Sequence, residues 1–337
     1  MTRIVNRKNS RKSRFNVFLL TVVIAASVYI MLGNLHIFER EYDDETWLDP
    51  SLKITPGWYD DRARPVPSIK TDSSVLIASH GLNSSNAILV RLKDHTILMQ
   101  KNSEEMIYPA SLTKMMTAIV AIEHLPNLQD EIKLTNSMFQ ELYEANASMA
   151  GFQSGERVSA IDLLYGVMLP SGAESCMGLA DHIAGSEQNF VKIMNQKAAD
   201  LGMVNTHFEN ATGLHNENHY TTVQDLAILL SYAWQNDTFR ELFTSSRHST
   251  QSTNMHPGGI TFYSTMFEDL DNQNIIDGEI LGGKTGYTAE AGLCLASLAQ
   301  VGQQEYFLIS AGAKGNHRSE QYHVIDALTV YNRLGRE

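Results

Sequence analysis

Cysteine is nearly absent from this chain of 337 residues. The two present are too few for a disulfide scaffold or a Cys-rich zinc module. Cations are also scarce, with 26 Lys and Arg against 38 Asp and Glu and a formal net charge of −12. That balance excludes a general nucleic-acid binder, which needs a basic face. Proline is sparse at eight residues, and half of it lies between positions 50 and 67. There is no internal repeat and no low-complexity tract. Apolar residues make up 43%, which excludes wholesale disorder.

The few cations are unevenly placed. Arg3, Arg7, Lys8, Arg11, Lys12 and Arg14 open the chain with no acid among them. Eighteen uncharged residues follow, 15–32, which as a helix would span about 27 Å, close to the hydrocarbon thickness of a bilayer. Basic residues before such a run keep the N-terminus in the cytoplasm and send the rest outside. A cleaved signal peptide would end at a small-x-small site. Here Ala25, Ala26 and Ser27 lie inside the run, and Gly33-Asn34-Leu35-His36 follows it. The expected organisation is a basic tail and retained single-pass anchor over residues 1–35, then an acidic, proline-containing stalk over 36–74. One folded domain over 75–337 would lie outside the cytoplasm, held to the membrane by the N-terminal helix.

Within that domain, Ala87-Ile88-Leu89-Val90 and Thr96-Ile97-Leu98-Met99 read as strands of a hairpin around Lys93-Asp94-His95. Met115, Ala118, Ile119 and Ile122 recur at helical spacing, as do Ile161, Leu164, Tyr165 and Met168, and again Leu226, Leu229, Leu230 and Ala233. Ser159 with Asp162 reads as a cap and Pro170 as a stop. Strand character returns over 279–287, 292–299 and 306–311, and a helix over 319–334 closes the chain. Helices in the middle with strands at both ends predict an α+β domain whose sheet joins its two ends.

The chemistry begins with YPASLTKMMTA, where Ser111 and Lys114 stand three residues apart at a helix start. That spacing puts hydroxyl and amine on one helical face. A serine becomes a nucleophile when a base takes its proton, and a lysine is such a base once burial depresses its pKa. Sixty residues on, LPSGAES puts Ser171 in a Pro-Ser-Gly turn between two helical patterns. Further on, ILGGKTGYT places Lys284 and Gly286 on the same face of a strand, with Thr285 between them. Gly286 admits a second backbone and Lys284 sets a cation beside it. Each motif alone has an ordinary structural explanation; the three in this order form a specific signal.

In these motifs, and in DLLYGVMLPSG and THFENATGLHNENHYTT, the chain resembles the low-molecular-weight penicillin-binding proteins, serine-type D-alanyl-D-alanine carboxypeptidases of peptidoglycan metabolism. The resemblance implies a β-lactamase/transpeptidase-like fold, an antiparallel sheet flanked by helices. It implies removal of the terminal D-Ala from a peptidoglycan stem peptide or precursor ending in D-Ala-D-Ala, through an acyl-enzyme that β-lactam antibiotics also form. No cofactor or metal is implied. Ser111 would be the nucleophile, Lys114 its base and Ser171 the relay to the leaving amine. Lys284 would keep the site electropositive, Thr285 would meet the substrate carboxylate, and Gly286 would let the strand approach. The N–H groups of Ser111 and Tyr287 would form the oxyanion hole. Arg318, in GAKGNHRSE, matches a position that helps bind the terminal carboxylate.

Two departures stand out. Ala173 fills the third place of the second motif, where the family usually has Asn or Cys, although the acid Glu174 still follows it. The chain also stops at Glu337, where many members continue into a β-rich domain and an amphipathic tail. An anchored single-domain arrangement also resembles the accessory carboxypeptidase of some vancomycin-resistance clusters, which would extend the role to glycopeptide resistance. Rival readings are a penicillin-binding sensor without turnover, which Ala173 allows, and a β-lactamase, although no E-x-x-L-N stretch follows Ser171. A zinc carboxypeptidase would need H-E-x-x-H, and His207, His215 and His219 do not supply it. Cys176 and Cys294 read as small buried hydrophobes rather than a pair.

The anchor has a direct check. The intact chain should sediment with membranes and resist extraction by salt and alkali; a mature N-terminus just past residue 32 would contradict retention.

Overall fold

The computed structural model describes residues 65–71, 76–270 and 272–336. The expected anchor and most of the expected stalk lie outside them. Among the described residues, no helix is long and apolar enough to cross a membrane.

The first β-type runs fold as the antiparallel hairpin their spacing predicts. It consists of β2 (Asn86–Arg91) and β3 (Thr96–Lys101), turning through a left-handed His95. A strand from the far end of the domain, β11 (Gln304–Ala313), pairs with β2, so the sheet does join the two ends. Beyond β11 come β10 (Gly292–Val301), β9 (Gly278–Thr288) and β8 (Asn274–Ile275), all antiparallel to their neighbours. The full order is β1-β3-β2-β11-β10-β9-β8. The one departure from antiparallel pairing is β1 (Lys70–Thr71), two residues of the segment read as stalk, which lie parallel to β3. A two-residue edge strand can join in either direction, because few ladder bonds are at stake.

Both faces of the sheet are covered, so its strands are apolar on both sides rather than alternating. Ile88, Val90, Ala296, Leu298, Phe307 and Ile309 face a large core made with the middle helices. Ala87, Leu89, Leu295, Leu308 and Met99 face a smaller one, closed by Val324, Ala327 and Tyr331 of the last helix (Tyr322–Leu334). Asp326 ties that helix to the approach to β2. Its carboxylate accepts from both nitrogens of Asn83, each at 2.9 Å, and from Ser84 N at 2.7 Å and Ser84 Oγ at 2.6 Å.

The middle layer begins with α1 (Thr113–His124), buried along nine consecutive residues. After a two-stranded ribbon of β4 (Glu131–Lys133) and β5 (Arg157–Ser159), separated in sequence by α2 (Ser137–Glu144), comes α3 (Ala160–Met168). Ser159 caps α3 by accepting from Asp162 N, as its sequence predicts, a contact of about 1 kcal/mol. Pro170 ends it, and α4 (Ala173–Ala184) and α5 (Glu187–Asp200) follow. Thr222 caps α6 (Val223–Ala233) in the same way. These helices pack α1 against the sheet, which fixes the N-terminal turn of α1 next to β9.

Candidate active site

Pro109 and a left-handed Ala110 (φ 48°) swing the chain into a 3₁₀ turn, Ala110–Leu112, just before α1. Ser111 lies in that turn, half-buried, and Lys114 in the first turn of α1. Lys114 is only 2% exposed. Its Nζ donates to Ser111 Oγ at 3.1 Å and to the carbonyl of Thr212 at 2.5 Å. Burial pushes the amine below its ordinary range, and the carboxylate of Glu174 opposes that shift in part.

The Thr212 carbonyl is held in place by a side chain to which the sequence reading gives no role. Asn210 Oδ1 accepts from Thr212 N at 3.2 Å, Thr212 Oγ1 at 3.1 Å and Gly213 N at 2.7 Å. Its Nδ2 donates to Leu214 O at 2.9 Å. Gly213 has φ 79°, and a Cβ there would stand 1.9 Å from Ala110 O, so only glycine lets this loop meet the Ser111 turn. The Asn-x-Thr-Gly spacing is an Asx-turn signal, legible in principle.

His219, one of the three histidines that do not make a zinc motif, is buried beside the same turn. Its Nδ1 accepts from Glu209 N at 3.2 Å, which leaves the proton on Nε2 to donate to Thr113 Oγ1 at 2.8 Å. Burial first, then the neighbouring His207, His215 and Lys114, push this imidazole down to about 4. It is therefore neutral near pH 7. His215 instead packs edge-on against Tyr108, with ring centroids 4.7 Å apart. Among the described residues, no three or more His, Cys, Asp or Glu side chains converge as metal ligands.

The second motif lies on the opposite side of the lysines. Ser171 is buried with φ 65°, a strained conformation for a residue with a Cβ, worth about 1–3 kcal/mol. Its Oγ accepts from Lys284 Nζ at 3.0 Å, and that nitrogen also donates to Thr285 O at 2.9 Å. Lys284 is fully buried. Burial and then the charge of Lys114 drive its amine well below the ordinary range. Two residues along β9, Gly286 comes so close to the Ser111 turn that a Cβ would stand 3.0 Å from Ser111 N. Ala173 is buried, and its N–H donates to Ser148 O at 2.8 Å.

The structure thus brings Ser111, Lys114, Ser171, Lys284 and Gly286 into one contiguous group. Thr285 turns its hydroxyl to Thr265 Oγ1 at 2.6 Å. Tyr287 packs edge-on against His317, centroids 4.9 Å apart, which brings the loop before the last helix to the end of β9. Arg318, in that loop, is exposed. Only its backbone N–H is engaged, with Asn316 Oδ1 at 2.8 Å, and its guanidinium has no partner among the described residues. Both cysteines are free, buried thiols.

Residues 73–315 match the family described as D-alanyl-D-alanine carboxypeptidase. The chain is 32% identical over 248 residues to the D-alanyl-D-alanine carboxypeptidase DacF of Bacillus subtilis, covering 68% of this chain and 57% of that one. It therefore spans little more than half of that relative. To the D-alanyl-D-alanine carboxypeptidase of Streptomyces sp. strain K15 it is 30% identical, covering 71% of this chain and 81% of the other. The crystal structure of the Streptomyces K15 DD-transpeptidase superposes with a TM-score of 0.67 at 26% identity, over 77% of this chain and all of that one.

Because Asn210 sets the acceptor that orients Lys114, Asn210→Ala should slow acylation by penicillin roughly 10–100-fold while the protein stays folded. Acylation at the unaltered rate in a stopped-time labelling assay would contradict that role.

Proposed function

The chain belongs to the D-alanyl-D-alanine carboxypeptidase family, and from that premise we propose that it is a serine D,D-carboxypeptidase acting on stem peptides or precursors that end in D-Ala-D-Ala. One observation carries the proposal: a half-buried serine hydroxyl 3.1 Å from the amine of a buried lysine. Burial leaves Lys114 ready to be neutral, and a neutral amine can take the Ser111 proton. Ser111 Oγ then attacks the carbonyl of the penultimate D-Ala. The oxyanion forms towards the N–H groups of Ser111 and Tyr287, on the two backbones that the missing Cβ of Gly286 lets approach. Ser171 relays a proton to the leaving D-Ala amine. Water then hydrolyses the ester, releases the shortened peptide and restores Ser111.

Lys284 holds Ser171 and gives the site positive potential, while Thr285 and the exposed guanidinium of Arg318 receive the substrate carboxylate. Arg318 lies on an exposed loop beside Tyr287, so this contact is made as substrate binds. β-Lactams acylate the same serine. The N-terminal apolar run anchors the enzyme to the membrane with its catalytic domain outside. Trimming D-Ala-D-Ala ends there would also lower the termini open to a glycopeptide antibiotic.

The proton step sets the pH dependence. Protonated Lys114 cannot serve as base, so acylation should fall as pH drops through its depressed pKa and level off above it, well short of the ordinary lysine value of about 10.4. Ser111→Ala should abolish both D-Ala release and penicillin labelling. Lys114→Ala should lose nearly as much, because the two side chains act as one unit. D-Ala release by Ser111→Ala at the unaltered rate would contradict the serine mechanism.

A further inference from the structure

Glu174 is fully buried at the start of α4, three residues after Ser171. Its Oε1 accepts three backbone N–H groups, from Ala150 at 2.7 Å, Gly151 at 2.9 Å and Phe152 at 3.2 Å. These belong to a segment that lies directly on the second motif. Ser148 O accepts from Ala173 N, and a Cβ on Gly172 would stand 2.6 Å from Ala150 Cβ. The carboxylate therefore pins a backbone turn against the strained conformation that aims Ser171 Oγ at Lys284.

Pinning that turn needs only one carbonyl-like oxygen, and a glutamine would supply it. Yet the second oxygen, Oε2, is also buried and has no hydrogen-bond partner among the described residues. The charge it carries has no local structural use. The need for charge lies next door, where Lys114 and Lys284 are both buried and neither has an ion-pair partner among the described residues. Burying such a cation without a counter-charge is costly.

We propose that Glu174 is a positioning residue for acylation, whose carboxylate ties residues 150–152 over the Ser171 turn and sets a negative charge towards the buried amine of Lys114. The inference rests on the reading of Lys114 as the base.

Several groups face Lys114 and Glu174. Cys176 comes from α4 itself, Lys284 from β9 and His219 from the loop after α5, while Glu187 of α5 faces Cys176. Burial pushes the Cys176 thiol up to about 12 and holds His219 down near 4, so both stay neutral between pH 5 and 10. Burial also raises the carboxyl of Glu174, and the N–H groups of Gly151, Glu174 itself, Ala150 and Phe152 oppose that in part. The charge of Glu174 acts on Lys114 in the direction that keeps it protonated.

The test is the pH profile of penicillin acylation in the full chain for Glu174→Gln and Glu174→Asp. Glutamine keeps the acceptor and removes the charge. Lys114 should then lose its proton more readily, and the acid limb should move to lower pH by roughly half a unit or more. Aspartate keeps the charge but shortens the reach to residues 150–152. Its limb should stay near that of the unaltered protein while the plateau rate falls about tenfold. A folded Glu174→Gln with an unmoved limb, or one moved to higher pH, overturns the electrostatic role. Glu174→Asp acylating at the full plateau rate overturns the tie, whether or not the glutamine variant folds. If the unaltered chain itself shows no acid limb, the assignment of Lys114 has failed instead.

Discussion

The site depends on burying two lysine amines side by side with no ion-pair partner for either among the described residues. Lys114 has a serine hydroxyl and a backbone carbonyl, and Lys284 has the same kind of pair. Hydroxyls and carbonyls solvate an ammonium less well than water, so both amines are driven towards neutrality, and the charge of Lys114 pushes Lys284 further. A solvated lysine at either place would stay protonated near pH 7 and could not take a proton from serine. The surrounding structure exists to keep these two amines dry and within 3.1 Å of the two serines.

Dry burial needs close backbone approaches, and those fall at glycine or at strained residues. Gly286 and Gly213 let β9 and the loop after α5 close on the Ser111 turn from two sides. Ala110 and Ser171 take left-handed conformations although each carries a Cβ. Strain of that kind persists only where the surroundings over-determine it: Ala110 is packed into the large core, and Ser171 is held by Lys284 beside the contact of Gly172 with Ala150. The absent amide at Ala173 belongs in the same account. That side chain is buried, and the polar contact on its segment is made by its backbone with Ser148.

Much of this was legible from sequence. Short β-type runs located the hairpin and the three long strands, helical spacing located α3 and α6, with Ser159 and Pro170 marking the ends of α3, and strand character at both ends located the closure of the sheet. The three motifs picked out the residues that the fold brings together, because each couples a chemical group to a backbone constraint visible in local spacing. What stayed hidden was long-range. Nothing near Asn210 says that the carbonyl it positions will accept from Lys114, nearly a hundred residues earlier. Nothing near Glu174 says that residues 150–152 will come to it. His219 looked like one of three equivalent loop histidines until burial separated it from His207 and His215. The two residues of β1 carry too little pattern to be told from a stalk.

Acylation of Ser111 and turnover of the resulting ester are the two halves of the proposed reaction. Mass spectrometry of the chain after penicillin, and of the peptide products after a substrate ending in D-Ala-D-Ala, tests both parts together. The account predicts one penicillin adduct, mapping to the fragment that holds Ser111, and a peptide shortened by one D-Ala. An adduct on any other residue, or a Ser111 ester with no shortened peptide, would contradict it.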